Sequence, residues 1–198
     1  MDQRRMARRA ALGILAAGTV AGGLMLRKPA QPATLTPNTG PDPEVPPLQD
    51  ISALRTFTLP RAMPAIAWHD ADGRPHTLAE LAGRGVVLNL WATWCAPCVA
   101  ELPSLAAFAR QAAADDIAVL ALSVDRGGAP TVARYLKAHG IEGLAVLTDP
   151  MSAAAQTLGT RGVPTTLVID RQGRERGRLE GGADWSTPQA LAAVRKLV

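Results

Sequence analysis

The sequence contains few of the residues that bind metals. It has two cysteines and three histidines among 198 residues. Cys95 and Cys98 are three positions apart, so a disulfide between them closes a very small loop and constrains the unfolded chain little. A zinc site on this pair would need two further ligands, and His69, His76 and His139 form no recognisable pair. We therefore expect no metal and interpret the cysteines as a reactive pair.

Signals for nucleotides and nucleic acids are also missing. The sequence has neither a Walker loop nor a GxGxxG motif. Its net charge is +4, but six of the 21 basic and only one of the 17 acidic residues lie within residues 1–28, which leaves 15 basic and 16 acidic residues over 29–198. Because the excess of positive charge is confined to the N-terminus, we expect no nucleic-acid binding.

The N-terminal segment has the pattern of a targeting sequence. An uncharged apolar run of 17 residues, 10–26, follows Arg4, Arg5, Arg8 and Arg9. This length is short for a membrane span and slightly long for a signal-peptide core, so a cleaved signal and an uncleaved anchor are both open. No clean cleavage site follows the run, which favours the anchor. The arginines predict a cytoplasmic N-terminus and export of the rest. We assign residues 1–28 to a signal or membrane anchor.

A proline-rich stretch separates this segment from the rest of the chain. Seven prolines lie within residues 29–47, and such a composition favours an extended linker over a packed core. We assign residues 29–54 to this linker and residues 55–198 to one globular domain.

Apolar runs alternate with helical patterns through the domain. Buried strands are predicted at 86–91 and 117–124, and further strands at 144–148, 165–170 and 174–179. A hairpin is predicted around Asp72–Gly73. Helices are expected from Cys95 to about Ala114 and from Pro130, Asp149 and Thr187, the third bearing Met151. This alternation implies βαβ units and a parallel core, and the last two strands add an antiparallel hairpin. The predicted fold class is α/β, with a mixed central sheet flanked by helices.

The chemistry is concentrated in Trp94-Cys95-Ala96-Pro97-Cys98. The motif lies between a buried strand and a helix, so Cys95 is expected at the helix N-terminus, where the dipole stabilises a thiolate. Cys98 follows one turn later and can close a disulfide with Cys95. These positions predict an exchange cycle in which Cys95 attacks a substrate disulfide and Cys98 resolves the mixed disulfide.

Two stretches together resemble the thioredoxin superfamily, and within it the TlpA/ResA/CcmG-like thiol–disulfide oxidoreductases. They are residues 87–103, which include the strand before the cysteine motif, the motif itself and Glu101-Leu102-Pro103, and Gly162-Val163-Pro164-Thr165. The resemblance covers about residues 60–198. It implies a thioredoxin-like fold with an N-terminal hairpin and an extra strand and helix between Pro130 and Pro150. It also implies a cis Pro164 beside the cysteines.

The resemblance further implies roles for individual residues. We assign catalysis to Cys95, Cys98 and Glu101, and substrate binding to Trp94, Pro97, Val163 and Pro164. Glu101 would take the proton of Cys98; its ordinary alternative is a solvated glutamate near a helix N-terminus. Asn89 departs from the pattern of many thioredoxins, which have a buried acid six residues before the first cysteine. Trp91 is interpreted as a core residue.

The function implied by the resemblance is the reduction of disulfides in extracytoplasmic proteins, of the kind needed for cytochrome c maturation or copper-site assembly. A membrane thiol donor of the DsbD/CcdA type would restore the reduced pair. We expect a monomer that needs no cofactor besides its redox-active disulfide and acts in the periplasm, tethered to the inner membrane or secreted.

Three alternatives differ in testable ways. An oxidant or isomerase would use the same fold in the other direction, and the Ala-Pro pair between the cysteines does not decide between them. A copper-delivery protein of the Sco type would use a CxxxC motif, whereas the spacing here is CxxC. A peroxiredoxin would have a threonine three residues before and a proline seven residues before its cysteine, where this chain has Ala92 and Leu88.

Overall fold

The structure of the chain is a computed structural model, and it describes residues 46–198. The predicted targeting segment over 1–28 and the linker as far as residue 45 lie outside this range. Within residues 46–198, no helix is both long enough and apolar enough to cross a membrane.

Eight strands form one mixed sheet over the described residues, in the order β1-β8-β7-β4-β5-β6-β2-β3. The strands are β1 Arg55–Ala62, β2 Ala67–His69, β3 Pro75–Thr77, β4 Gly85–Trp91, β5 Ile117–Ser123, β6 Leu147–Thr148, β7 Thr165–Ile169 and β8 Arg174–Glu180. The α-helices are α1 Ala96–Ala112, α2 Gly128–Ala138, α3 Ala153–Thr157 and α4 Pro188–Arg195. Strands β4, β5 and β6 run parallel, and the other pairs are antiparallel. The predicted α/β class with a mixed sheet is confirmed.

Strand β4 lies inside the sheet and separates two layers of core. All seven of its residues are buried, because β5 and β7 pair with its two edges and helices cover its faces. Val87 and Trp91 pack with the α1 layer, whereas Leu88 and Leu90 pack with the opposite layer. Side chains alternate along a strand, so Asn89 faces the α1 layer as well. The prediction that Trp91 belongs to the core is confirmed.

Several elements differ from the sequence prediction. Strand β1 has no predicted counterpart, and β6 is two residues long where five were expected. The expectation that the third helix bears Met151 is wrong, since α3 begins at Ala153 and Met151 is 79% exposed. The Asp149 carboxylate explains this start: it accepts hydrogen bonds from the N–H groups of Ala153 and Ala154 at 2.9 and 2.8 Å. Asp149 thus caps the helix from the far side of a turn, and this turn leaves Met151 outside the helix.

The end of the predicted linker packs on the domain. Ile51 and Leu54 are buried in the α1 layer. The backbone of Gln49 donates to the carbonyl of Gly182 at 2.8 Å and accepts from the N–H of Asp184 at 3.1 Å. Contacts with the domain therefore begin before residue 55, where the sequence placed the boundary.

Candidate active site

Cys95 and Cys98 form a disulfide at the N-terminus of α1. Cys95 is the N-cap residue, and the N–H of Cys98 donates to its Sγ at 3.3 Å. Unpaired amides and the helix dipole at this end favour negative charge on that sulfur. Cys95 is 6% exposed, whereas Cys98 is completely buried. Cys95 is therefore the more accessible of the two cysteines, and Cys98 lies inside the domain.

The turn between β4 and α1 is fixed by Asp125, which follows β5. Its carboxylate accepts from the backbone N–H of Thr93 at 2.9 Å and from the Thr93 hydroxyl at 2.7 Å. It also accepts from the hydroxyl of Ser123 at 2.8 Å. Parallel pairing of β4 with β5 brings Thr93 next to Asp125, although the two residues are 32 positions apart in sequence. No sequence pattern predicted this role of Asp125.

The loop before β7 lies against Cys95, as the resemblance implied. The Val163–Pro164 peptide bond is cis, and the carbonyl oxygen of Val163 is 3.5 Å from Cys95 Sγ. Trp94 is 70% exposed beside the disulfide. Of the residues assigned to substrate binding, Val163 thus contacts the Cys95 sulfur, Pro164 follows Val163 through the cis bond, and Trp94 directly precedes Cys95. The carbonyl of Pro97, the fourth, faces the backbone of Gly182 on another side of α1.

Glu101 is completely buried, one helical turn after Cys98. Its Oε1 accepts from Asn89 Nδ2 at 2.8 Å, and its Oε2 accepts from the backbone N–H of Ala183 at 2.8 Å and from Trp185 Nε1 at 3.1 Å. Burial raises the pKa of the Glu101 carboxyl, and these hydrogen bonds lower it in part. The alternative of a solvated glutamate is therefore wrong for this residue.

Asn89 occupies the strand position where many thioredoxins carry an acid. Its Nδ2 donates to Glu101 and also to Thr166 Oγ1 at 2.9 Å, while its Oδ1 has no partner within the described residues. Asparagine cannot titrate, so the carboxyl of this buried cluster comes from α1 instead of β4. The cluster contains one buried acid, Glu101, which lies one helical turn after Cys98.

Sequence reasoning did not find the other members of this cluster. Ala183 and Trp185 reach Glu101 from the segment between β8 and α4, more than 80 positions along the chain. Trp185 also packs edge-on against Phe108, with ring centroids 5.5 Å apart. Ala183 acts through its backbone, which no side-chain pattern reveals. Within residues 46–198, no three His, Cys, Asp or Glu side chains are arranged to hold a metal ion.

Comparison with known proteins gives the family of the chain. Residues 60–194 match the model of the Redoxin family. The chain belongs to the Redoxin family. Its relatives include the thiol–disulfide oxidoreductases ResA of Geobacillus thermodenitrificans, 29% identical over 120 residues, and of Bacillus subtilis, 28% identical over 111 residues. These alignments cover 60% and 56% of this chain, and 67% and 61% of the relatives.

Solved structures extend the comparison to the whole fold. The exposed lipoprotein thioredoxin of Streptococcus pneumoniae is 27% identical, with a TM-score of 0.58, and the match covers 68% of this chain and all of that one. The predicted thioredoxin-like fold and the similarity to TlpA/ResA/CcmG-like proteins are confirmed. Together with the Cys95–Cys98 pair, they place this Redoxin-family chain in the class of thiol–disulfide oxidoreductases.

Proposed function

We propose that this chain reduces disulfides in client proteins outside the cytoplasm. The observation that carries the proposal is the arrangement of three residues in order along the start of α1, namely its N-cap Cys95, then Cys98 and Glu101. Cys95 is partly accessible to a client, whereas Cys98 is completely buried. Glu101 lies one helical turn after Cys98, and burial raises the pKa of its carboxyl. This order provides an attacking thiolate, a resolving thiol and a proton acceptor.

The proposed reaction starts from the reduced pair. The Cys95 thiolate attacks one sulfur of the client disulfide, and the other client sulfur leaves as a thiolate. Cys98 then attacks Cys95 Sγ in the mixed disulfide, which re-forms the Cys95–Cys98 bond and releases the second client thiolate. Two electrons pass from the cysteine pair to the client. The proposed reaction uses no cofactor besides this cysteine pair.

Glu101 serves the second step. The Cys98 thiol must lose its proton to attack, and its burial keeps bulk water from accepting that proton easily. A carboxylate one turn away can accept it, and a raised pKa brings the affinity of Glu101 for protons closer to that of a thiol. Trp94, Pro97, Val163 and Pro164 are proposed to position the client near Cys95.

The setting of the reaction is also part of the proposal. The arginine-flanked apolar run over residues 10–26 supports export, with the domain tethered to the membrane or released. A membrane thiol donor of the DsbD/CcdA type would return two electrons to the pair after each turnover. The clients would be proteins of cytochrome c maturation or copper-site assembly, and the enzyme would act as a monomer.

The reduction potential of the Cys95–Cys98 pair tests the direction. The full chain is equilibrated with mixtures of reduced and oxidised dithiol, and the thiol fraction is measured by alkylation. We expect a value at or below about −250 mV, near the roughly −270 mV of thioredoxin. A value above about −150 mV, close to strong oxidants such as DsbA at about −120 mV, would instead assign the chain to disulfide formation or isomerisation.

Trapping the intermediate tests the order of the cysteines. The Cys98→Ser variant should accumulate a mixed disulfide between Cys95 and a disulfide-containing client, because it lacks the resolving thiol. The Cys95→Ser variant is the matched control and should trap nothing. Equal trapping by both variants would contradict the assignment of Cys95 as the attacking residue.

A further inference from the structure

A groove with a volume of about 710 Å³ opens beside the redox-active disulfide. Two residues of the active site, Trp94 and Val163, line one side of it. Val124, after β5, and Ala155, on α3, contribute further apolar surface. The volume lies within the roughly 300–1,000 Å³ typical of ligand sites. Since the Val163 carbonyl is 3.5 Å from Cys95 Sγ, a chain lying in the groove passes next to the reachable sulfur.

Two arginines give this groove its charge. Arg126 and Arg161 line it, and both are exposed. Elsewhere among residues 46–198, seven arginines pair with carboxylates, for example Arg84 with Asp116 and Arg195 with Asp115 at 2.7 Å in each case, and four others do not. Among residues 46–198, no carboxylate pairs with either groove arginine. Their charges are therefore presented to whatever occupies the groove.

The acid that lines the same groove forms no ion pair with either arginine among the described residues. Asp125 is 4% exposed, and its oxygens accept the hydrogen bonds from Thr93 and Ser123 that fix the active-site turn. A carboxylate occupied in this way contributes little to recognition of an incoming chain. The groove thus combines an apolar floor with two unpaired positive charges.

We propose that the groove binds a segment of the client protein that carries acidic side chains close to the attacked cysteine. The proposal rests on the reductase function above and adds to it the chemistry of the preferred substrate. Apolar side chains of the client would contact Trp94 and Ala155, and its carboxylates would pair with Arg126 and Arg161. Charge complementarity of this kind raises association rates and fixes the register of the bound segment.

Two matched disulfide peptides test the proposal with the reduced full-length chain. One has glutamates flanking the cysteines, and the other has glutamines at the same positions. We expect kcat/KM to be roughly tenfold higher for the acidic peptide at low salt, because each exposed ion pair contributes about a two- to fivefold preference. The preference should shrink in about 0.5 M salt, where exposed charges are strongly screened.

Variants assign the preference to the groove. The double variant Arg126→Gln/Arg161→Gln should reduce both peptides equally, at the rate that the wild type shows for the neutral peptide. Arg134→Gln is the matched control, because Arg134 is an exposed arginine of α2 that does not line the groove. This control should keep the full preference.

The outcomes separate this proposal from the one on which it rests. If the wild type reduces both peptides at equal rates, or if the double variant keeps the preference, the acidic-client proposal is wrong and the reductase function stands. If the reduced wild type reduces neither peptide, both proposals fail together.

Discussion

Asn89 Nδ2 donates a hydrogen bond to Glu101 Oε1 at 2.8 Å and thereby joins β4 to the helix that carries the two cysteines. Both side chains are completely buried. The amide holds one oxygen of the carboxylate, while Ala183 and Trp185 hold the other. The donors fix the orientation of Glu101 and favour its charged form, whereas burial favours its neutral form. The balance between these effects sets where the carboxyl titrates.

Replacement of Glu101 tests its role in proton transfer. Glu101→Gln should slow resolution of the mixed disulfide by about a hundredfold near neutral pH, at the low end of what a positioned proton acceptor contributes. The glutamine keeps an oxygen for Ala183 and Trp185, and rotation of the Asn89 amide would offer its unpaired Oδ1 to the new NH₂ group. The fold should therefore survive.

Single-turnover kinetics against pH provide the measurement. The wild-type rate should rise with pH as Glu101 ionises, and the variant should lose this part of the profile. Glu142→Gln, at an exposed position, is the matched control and should behave as the wild type does. A Glu101→Gln variant with the wild-type rate and profile would remove Glu101 from the mechanism.

The raised pKa of Glu101 also predicts how stability depends on pH. The carboxyl titrates near 4.5 in the unfolded chain and at higher pH in the folded one, chiefly because of burial. Below both pKa values the carboxyl is protonated in the folded and in the unfolded state, so it does not change the free energy of unfolding. As the pH rises between the two values, the folded state retains a proton that the unfolded state has lost, so the free energy of unfolding decreases.

The predicted pH dependence is checked by measuring the free energy of unfolding of the oxidised wild type and of oxidised Glu101→Gln between pH 4 and pH 8. The stability of the variant relative to the wild type should increase with pH over that range and level off above the folded pKa. The other titrating groups are common to both proteins, so the difference isolates Glu101. A difference that is independent of pH would show that burial does not shift this carboxyl.

How far the sequence predicts the site depends on the distance along the chain between interacting residues. Cys95, Cys98 and Glu101 lie on one helix, so their spacing alone places them on neighbouring turns. Asn89 precedes them on a strand whose alternation fixes the face that it occupies. Local patterns therefore predict these parts of the site.

The remaining contacts depend on tertiary packing. Trp185 and the N–H of Ala183 donate hydrogen bonds to Glu101 because the segment after β8 lies against the N-terminal part of α1. Arg126 and Arg161 line one groove because the loops after β5 and before β7 lie next to each other. Neither the contacts of Glu101 with this segment nor the proximity of the two arginines follows from a spacing or a periodicity in the sequence. Strand β1 was missed because its residues are mostly exposed and the alternation of Phe57 and Leu59 with threonines is short and ends at Pro60.

Asn89→Asp would place a second carboxyl against Glu101. Two carboxylates at hydrogen-bond distance cannot both ionise easily, so the pair should hold a proton to higher pH than Glu101 does alone. We expect the pH profile of mixed-disulfide resolution to move upward by about one unit or more, and the free energy of unfolding at neutral pH to decrease. Asn89→Ala is the control, because it removes the hydrogen bond without adding an acid. Identical profiles for the two variants would contradict the argument.

Gly182→Ala tests whether the segment after β8 positions the active site. A Cβ atom at residue 182 would lie 2.9 Å from the carbonyl oxygen of Pro97 and 3.0 Å from a side-chain carbon of Leu48. Something must shift: Pro97 belongs to the first turn of α1, and residue 182 itself directly precedes Ala183, whose N–H holds Glu101. We therefore expect disulfide exchange to slow by about tenfold or more, since small displacements of reacting groups cost large factors in rate.

A second glycine separates this effect from a general loss of stability. Gly140→Ala meets no atom within 4 Å, but its φ of +62° makes alanine unfavourable there by about 1–2 kcal/mol. That variant should be destabilised and still exchange disulfides at the wild-type rate under conditions where it is folded. Gly182→Ala should be slow even where circular dichroism shows it to be folded. If the two variants exchange at the same rate when folded, the close contact of Gly182 with Pro97 has no part in holding the reacting groups in place.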